Sequence, residues 1–483
     1  MKVISEISVV STLQDYQRFY RADPYSVHPR KVRSIEKVEE VAKENGYDVL
    51  PLIELLEIPP SSGRSGLPVT PNGEVKIVKP ANLTDLFFVD LADCERTTLD
   101  TYNSSEKGRL QNLDILVLSA AHAEGYIGIN TSIVHLNDDE KVICIGELIR
   151  LRPNTDKINP YYLTLYLNST IGKYMLNYSV RGQTVHLYTK DIVHLPVLLP
   201  QREIQDSIGN KLKQAIEAKI EAEKKRKENE EIFKRKLGSI DVGKLGGYVF
   251  KFSQSLEYRR LDPHFYYPEF LKVLDLLDKS GFEIKRMSEL VEFSKETTNP
   301  SDVKEFSYVE IADVDINYGF ISSHSIVKGS EAPSRARKKL RKDALLIPLT
   351  RPYRGAIAVV DSRYNNAITT TGFSVSYPKP DSPVDSYYLC AFLKSPYGLI
   401  QLTQRMSNAN YPAILEKDIA EILVPILPDA HTISNNMKEI VNILLHSKQL
   451  HSQAIEKLNR LLGLNSGGIN HEKRGASQNC RRI

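Results

Sequence analysis

A chain of 483 residues is too long for one ordinary core, so two domains are expected. With 41% hydrophobic and 26% charged residues it has a globular composition, and a net charge of +4 means that any nucleic-acid contact must rest on local patches. Cys94, Cys144, Cys390 and Cys480 lie far apart, with no Cys-x-x-Cys pair and no histidine at ligand spacing, which argues against a structural metal or a disulfide framework and suits a reducing cytoplasm.

The segment Met1 to Val10 carries Glu6 inside its apolar stretch, and no apolar run approaches the ~18 residues of a membrane span, so neither a signal peptide nor a membrane partner is expected. Strands are predicted over Leu113 to Leu118, Tyr126 to Ile133 and Val142 to Leu148, from short β-branched runs. Apolar spacing of three and four predicts a helix over Tyr161 to Tyr178. From Gln201 a long helix begins, with Ile204, Ile208, Leu212, Ile216 and Ile220 as a stripe every four residues; Glu221 to Lys236 is mostly polar. Further strands are predicted over Ala344 to Leu349 and Ala356 to Val360, and a helix over Ser386 to Met406. A second long helix carries Ile433, Met437, Ile440, Val441, Leu444, Ile455, Leu458 and Leu462. Each stripe needs a partner surface, and antiparallel pairing of the two is the economical solution. The tail Asn465 to Ile483, rich in Gly, Asn and Arg, is expected to be disordered.

The chain repeats itself. Tyr161-Tyr162-Leu, Ser169, Gly172, Lys190-Asp191-Ile192 and Leu-Pro-Val-Leu-Leu-Pro200 return as Tyr387-Tyr388-Leu, Ser395, Gly398, Lys417-Asp418-Ile419 and Val-Pro-Ile-Leu-Pro428. The offset is 226 residues at the start and 228 at the end. Arg21-Ala-Asp23-Pro24-Tyr25 echoes Arg260-Leu-Asp262-Pro263-His264, Phe88 to Asp93 echoes Tyr308 to Asp313, and Asp114 to Leu118 resembles Asp343 to Ile347. The unit is half the chain, a duplicated domain rather than a solenoid repeat.

Catalytic signatures are missing: no phosphate-binding or dinucleotide glycine loop, no His-Glu-x-x-His, no Gly-x-Ser-x-Gly. Asn159-Pro-Tyr-Tyr162 lacks the second proline of an amino-methyltransferase motif, and Asp278 with Glu283 and Lys285, two carboxylates and a lysine as in a nuclease pattern, is a chance-level triplet. His122, His135, His186 and His264 are isolated. The positive signal is a basic segment, Lys328 to Lys342, with Ser334, Arg335, Arg337, Lys338, Lys339, Arg341 and Lys342. A predicted strand separates it from Thr350-Arg351-Pro352-Tyr353-Arg354. Guanidinium forks fit phosphate oxygens and the guanine O6/N7 pair, and interleaved hydroxyls can donate to either.

These residues resemble a known family. Pro333-Ser-Arg-Ala-Arg-Lys, Lys342-Asp-Ala-Leu-Leu, Thr350-Arg-Pro-Tyr-Arg and Thr370-Thr-Gly-Phe373 look like the recognition domain of type I restriction-modification specificity subunits. Asn410-Tyr-Pro-Ala-Ile414 with Lys417 to Pro428, and Gly182 to Leu187 with Lys190 to Glu203, resemble the element that closes such a domain. The resemblance implies an α+β fold of two tandem target-recognition domains, residues 1–200 and 241–428, each followed by a spacer helix, 201–240 and 429–464, the helices pairing as an antiparallel coiled coil. It implies double-stranded DNA, two methyltransferase subunits and restriction/motor subunits as partners, no cofactor of its own, and a bipartite, non-palindromic target. A helix from Gln201 to Leu237 would span roughly 55 Å, or about 16 base pairs at ~3.4 Å each. In the first copy Lys107 and Arg109 stand where the second has its arginine cluster, and His122 where it has Arg-Pro-Tyr; Arg181 and Gln183 complete the candidate DNA-contacting residues there. The second spacer starts Asp429-Ala-His-Thr432 without the usual acidic-Gln pair. The other readings are a stand-alone restriction enzyme or methyltransferase with a divergent site, and a duplicated protein-binding adaptor.

Overall fold

Short apolar runs become strands where both faces can be covered, and the long stripes become helices where one face can be. A computed structural model of the chain describes residues 27–104, 106–181, 185–240, 261–407 and 411–464. The Arg-x-Asp-Pro motif at Arg21 to Tyr25, Gln183 and the tail from Asn465 lie outside the described residues. The chain divides into two compact units, Met1–Ala218 with His446–Ile483, and Lys219–Leu445. The division falls inside both long helices, Arg202–Leu237 and Ala430–Leu461, so each unit takes half of each.

The first unit is built on an antiparallel sheet in the order Leu56–Ser62, Leu148–Pro153, Ile115–Leu118, Ser132–Ile133. A smaller sheet joins Glu95–Thr97, Val75–Val78 and Val142–Cys144, the last pair parallel with Ile77 opposite Ile143. Helices Pro29–Asn45, Pro160–Asn168 and Thr170–Asn177 cover the core. A two-stranded ribbon, Asp48–Pro51 with Pro196–Leu199, leads into the long helix.

The second unit repeats this plan. Its main sheet runs Val291–Phe293, Phe373–Pro378, Leu345–Pro348, Ala358–Val359, and its closing ribbon pairs Glu283–Arg286 with Leu423–Ile426. The parallel pair recurs with Val309 opposite Thr369. One element is added: strand Ala336–Lys339 pairs with Ile368–Thr370, where the described residues of the first unit show a single bridge between Arg109 and Ile143.

The repeat register is one residue from that read in the sequence. Leu113 N–H donates to Val134 O and Asp343 N–H to Val360 O, and Leu113 and Asp343 share a left-handed φ of 68° and 65°. Leu113 therefore matches Asp343, and Asp114 matches Ala344. The buried Asp114 carboxylate takes both forks of Arg152 at 2.8 and 2.9 Å, an ion pair that Ala344 cannot make.

Each predicted helix of the globular part is two. Ser169 and Ser395 adopt extended backbone and break the run, and in the second unit Pro396 also prevents continuation. The broken helix folds back tightly: a Cβ on Gly172 would lie 2.2 Å from Tyr166 O, and one on Gly398 would lie 2.4 Å from Leu393 Cα. This close approach is the physical reason for the repeated Ser-x-x-Gly. The expected strand Tyr126 to Ile133 is a short 3₁₀ turn, Glu124–Tyr126, and then only Ser132–Ile133; Gly128 and Asn130 take positive φ there and break the extension.

The long stripes also depart from a straight line. Ile208, Leu212 and Ile216 are buried in the first unit's core and Ile204 packs at its margin, but Ile220 is 43% exposed. A four-residue spacing rotates by ~40° per step on a 3.6-residue helix, so the stripe winds out of the contact. In the polar run, Phe233 is 1% exposed against Tyr388 and Phe392, an anchor the composition concealed. Leu458 is buried in the first unit with Ile455 beside it, and Ile433, Met437, Val441 and Leu444 are buried in the second. Within the first unit Ser447 Oγ donates to Ala215 O at 2.6 Å, Lys211 Nζ to Gln453 and Lys457 Nζ to Ser207 Oγ. Within the second, Asn436 meets Asn229 at 2.9 Å and Lys236 meets Asp429 at 3.1 Å.

Two predictions follow from these cores. Tyr162 donates its buried hydroxyl to Leu198 O at 2.8 Å, and Tyr388 does the same to Pro425 O. Replacing either by Phe should lower stability by about 1 kcal/mol, read as a lower urea midpoint at constant m; an unchanged midpoint would contradict the role. His135 lies in the first core, where burial first, and then the Lys213 charge, lower its pKa from 6.5 to about 4. The unfolded chain takes up the proton before the folded one does. The stability contributed by neutral His135 is therefore complete above pH 6.5 and is lost as pH falls toward about 4. The His135→Gln variant should lose less stability over that window; equal pH slopes would reject this.

Candidate nucleic-acid interface

In the second unit the basic segment becomes an edge strand. Ala336 is fully buried, and Ser334 and Arg335 are exposed just before it. A register shift between Ala336 and Lys338 leaves Arg337, Lys338 and Lys339 all partly exposed. Arg337 donates through Nε to Ser334 O and through Nη1 to Asn299 Oδ1, both at 3.1 Å. Lys338 pairs with Glu416 at 3.1 Å, and Arg341 with Glu296 at 2.6 Å. The positive charge is thus partly neutralised, and Arg335 is the exposed guanidinium of the cluster with no ion pair among the described residues.

The buried strand Leu345–Pro348 separates this cluster from the second one, as the sequence implies. Thr350 then bridges to Ala413, and Arg351 N–H donates to Pro412 O at 2.8 Å. Arg351 has φ +50°, a left-handed conformation that strains any side chain with a Cβ. Its guanidinium lies over the Tyr411 ring at 5.4 Å, and Tyr411 is 70% exposed. Pro352 is buried, while Tyr353 and Arg354 are exposed. Lys394 pins the far end of the loop, donating to Gly355 O and Ile316 O at 2.8 Å; burial lowers its pKa. Arg354 turns toward that side, lining a cavity with Ile316, Lys394 and Leu399.

One segment gathers both clusters. Residues 411–416 hold Tyr411 against Arg351, Ala413 against Thr350 and Glu416 against Lys338. Tyr411 and Glu416 were not among the residues singled out as sites from the sequence. The signal was the Tyr-Pro in the closing motif, an exposed aromatic beside a proline that stiffens it.

The first unit has the same arrangement with other residues. Strand Ala120–Ala121 pairs with Val185–Leu187, which pairs with Val180–Arg181, so the loop after the central strand again meets the closing hairpin. Leu187 N–H donates to Ser119 O at 2.8 Å, as Ile414 N–H donates to Leu349 O at 2.9 Å. His122 is exposed at the end of this strand. Arg181 contributes backbone to the hairpin; its side chain lies outside the described atoms, as does all of Gln183. Lys107 is exposed. Arg109 turns inward: Nε donates to Tyr102 O and Nη2 to Asn103 O, both at 3.0 Å, with the guanidinium 4.8 Å over the Tyr102 ring. It braces the short helix Leu99–Asn103.

No three His, Cys, Asp or Glu side chains come together to hold a metal among the described residues, and no described helix is long and apolar enough to cross a membrane.

Residues 46–232 match the family model of the type I restriction modification DNA specificity domain. Three solved structures are similar over 86% of this chain. One is a type I restriction-modification system S subunit from M. genitalium, 15% identical, with 95% of that chain covered and a TM-score of 0.43. Another comes from a study of complex assembly and conformational transition of the type I R-M system, 14% identical, 96% covered, TM-score 0.28. The third is the HsdS subunit from Thermoanaerobacter tengcongensis, 15% identical, 96% covered, TM-score 0.28. No curated protein matches the chain. Residues 46–232 are thus similar to a type I restriction modification DNA specificity domain. Specificity subunits are non-catalytic DNA-recognition subunits.

The left-handed Arg351 is testable without DNA. Gly adopts this conformation without the steric penalty, so Arg351→Gly should be more stable than Arg351→Ala by about 1 kcal/mol, read from urea unfolding. The reverse order would show that the loop does not hold Arg351 under strain.

Proposed function

We propose that this chain is the DNA-reading specificity subunit of a type I restriction-modification complex, each unit reading one half of a split, non-palindromic target. The observation that supports the reading is a shared framework with unlike tips. In both units the loop after the central strand is bonded to the closing segment, but one loop offers Arg351 and Tyr353 and the other His122.

In this reading Arg335, Arg337 and Lys339, with Ser334, face phosphates. Lys338, tied to Glu416, holds the edge strand on the closing segment. Thr350, Arg351, Tyr353 and Arg354 face base edges, an Arg fork suiting guanine O6/N7. In the first unit Lys107, His122, Arg181 and Gln183 take the corresponding roles, and Arg109 supports the loop from within. The two recognition domains, residues 1–200 and 241–428, are joined to spacer helices 201–240 and 429–464. Antiparallel pairing of these helices as a coiled coil would hold the half-sites at a set distance and carry two methyltransferase subunits, with restriction and motor subunits joining the complex. The polar contacts favour that direction, since partners of rising number on one helix have falling number on the other within each unit.

Two substitutions separate the roles. Arg335→Ala should weaken binding to all duplexes alike and make the salt slope shallower by about 0.9. Arg351→Ala should cost ~1–3 kcal/mol on the target alone and relax one base position. Unchanged DNA binding after replacing Arg335, Arg337, Lys338, Arg351 and Arg354 together would overturn the assignment.

A further inference from the structure

The first unit lacks the arginine-rich edge strand of the second, and its Arg109 is turned inward. It has another cationic surface in its place. Helix Pro29–Asn45 opens with Arg30, Lys31 and Arg33 and has no acid in its first turn. Cations at this end oppose the helix dipole, so local stability does not explain them.

The repeat supplies a control within the same chain. The Asp23-Pro24 and Asp262-Pro263 motifs set an offset of 239 residues, which matches Pro29 to Pro268 at the start of each helix. Arg30 then corresponds to Glu269, Lys31 to Phe270 and Arg33 to Lys272. In the second unit the first turn is acidic, Phe270 is buried in the ordinary apolar manner, and Lys272 lies by Asp275. In the first unit, Lys31 occupies the buried position at 4% exposure. Its Nζ donates to Ser179 Oγ at 3.0 Å and to Tyr178 O at 3.4 Å.

That substitution ties the helix to the hairpin. Tyr178 and Ser179 lead directly into strand Val180–Arg181, the outer strand beside Val185–Leu187 and Ala120–Ala121. His28 stacks on Tyr178 with centroids 3.7 Å apart, and the Arg30 guanidinium lies 5.4 Å over Tyr174. Arg30 and Arg33 are exposed and make no ion pair among the described residues, whereas Lys37 on the next turn is paired with Glu40.

We infer that Arg30 and Arg33 form a DNA-backbone contact of the first unit, held beside the reading hairpin by Lys31 and His28 on Tyr178–Ser179. The inference rests on the DNA-recognition reading and adds a sequence-independent grip to the copy that lacks the arginine strand. Guanidinium groups on such a surface bind phosphate oxygens and release counterions, so their signature is salt dependence rather than base preference.

The test measures binding of the full chain to random-sequence duplex DNA over a salt series. For the double variant Arg30→Gln/Arg33→Gln, the slope of log affinity against log salt should become shallower by about 1.8. Arg30→Lys/Arg33→Lys should restore it, and Lys43→Gln, at the far end of the same helix, should leave it unchanged. Equal slopes for wild type and double variant, in a chain that binds DNA, overturn the inference and leave the reading of the loops standing. A wild-type chain without salt-dependent DNA binding overturns both.

Discussion

A buried tyrosine hydroxyl in each unit ties the helical layer to the strand that closes the unit. Tyr162 bonds Leu198 O, and Tyr388 bonds Pro425 O. Each bond fastens the helical layer to a short closing strand, Pro196–Leu199 or Leu423–Ile426. Upstream of that strand lies the segment that meets the loop from the central sheet; downstream the long helix begins. A buried hydroxyl without its carbonyl would cost about 1–3 kcal/mol, so the strand cannot slide without losing the bond. That segment and the long helix of each unit inherit that precision.

Duplication explains the framework, and most of the divergence lies in what the framework presents. Both units keep the broken helix pair with its tight glycine, the parallel strand pair, the closing ribbon and the left-handed residue before the central strand. They differ in the edge strand Ala336–Lys339, in the strained Arg351 over Tyr411, in the buried Asp114–Arg152 pair and in the basic first turn at Arg30. A protein reading one palindromic sequence would gain nothing from unlike tips. In the proposed reading, two unlike tips on one framework serve two unlike half-sites.

The repeat and the closing elements were legible in the sequence because they are strings of adjacent residues. The central strands were legible because Ile115–Leu118 and Leu345–Pro348 are unbroken apolar runs. The arginine clusters either side of the second strand were legible for the same reason of adjacency. What stayed hidden depends on contacts between distant segments. Phe233 sits in a polar run and gains meaning only against Tyr388 and Phe392. The helix breaks at Ser169 and Ser395 leave the apolar periodicity nearly intact. Arg109 looks like a DNA contact by position, but two carbonyls of a neighbouring helix claim its guanidinium. Tyr411 and Arg351 lie far apart in the chain, so their stacking could not be read from either motif.

The most direct measurement is selection of bound sequences from a pool of random duplexes by the full chain. Two framework copies with different tips predict two short, unlike conserved blocks separated by a spacer of constant length and free sequence. Recovery of one contiguous motif, a palindrome, or no motif at all would contradict the account.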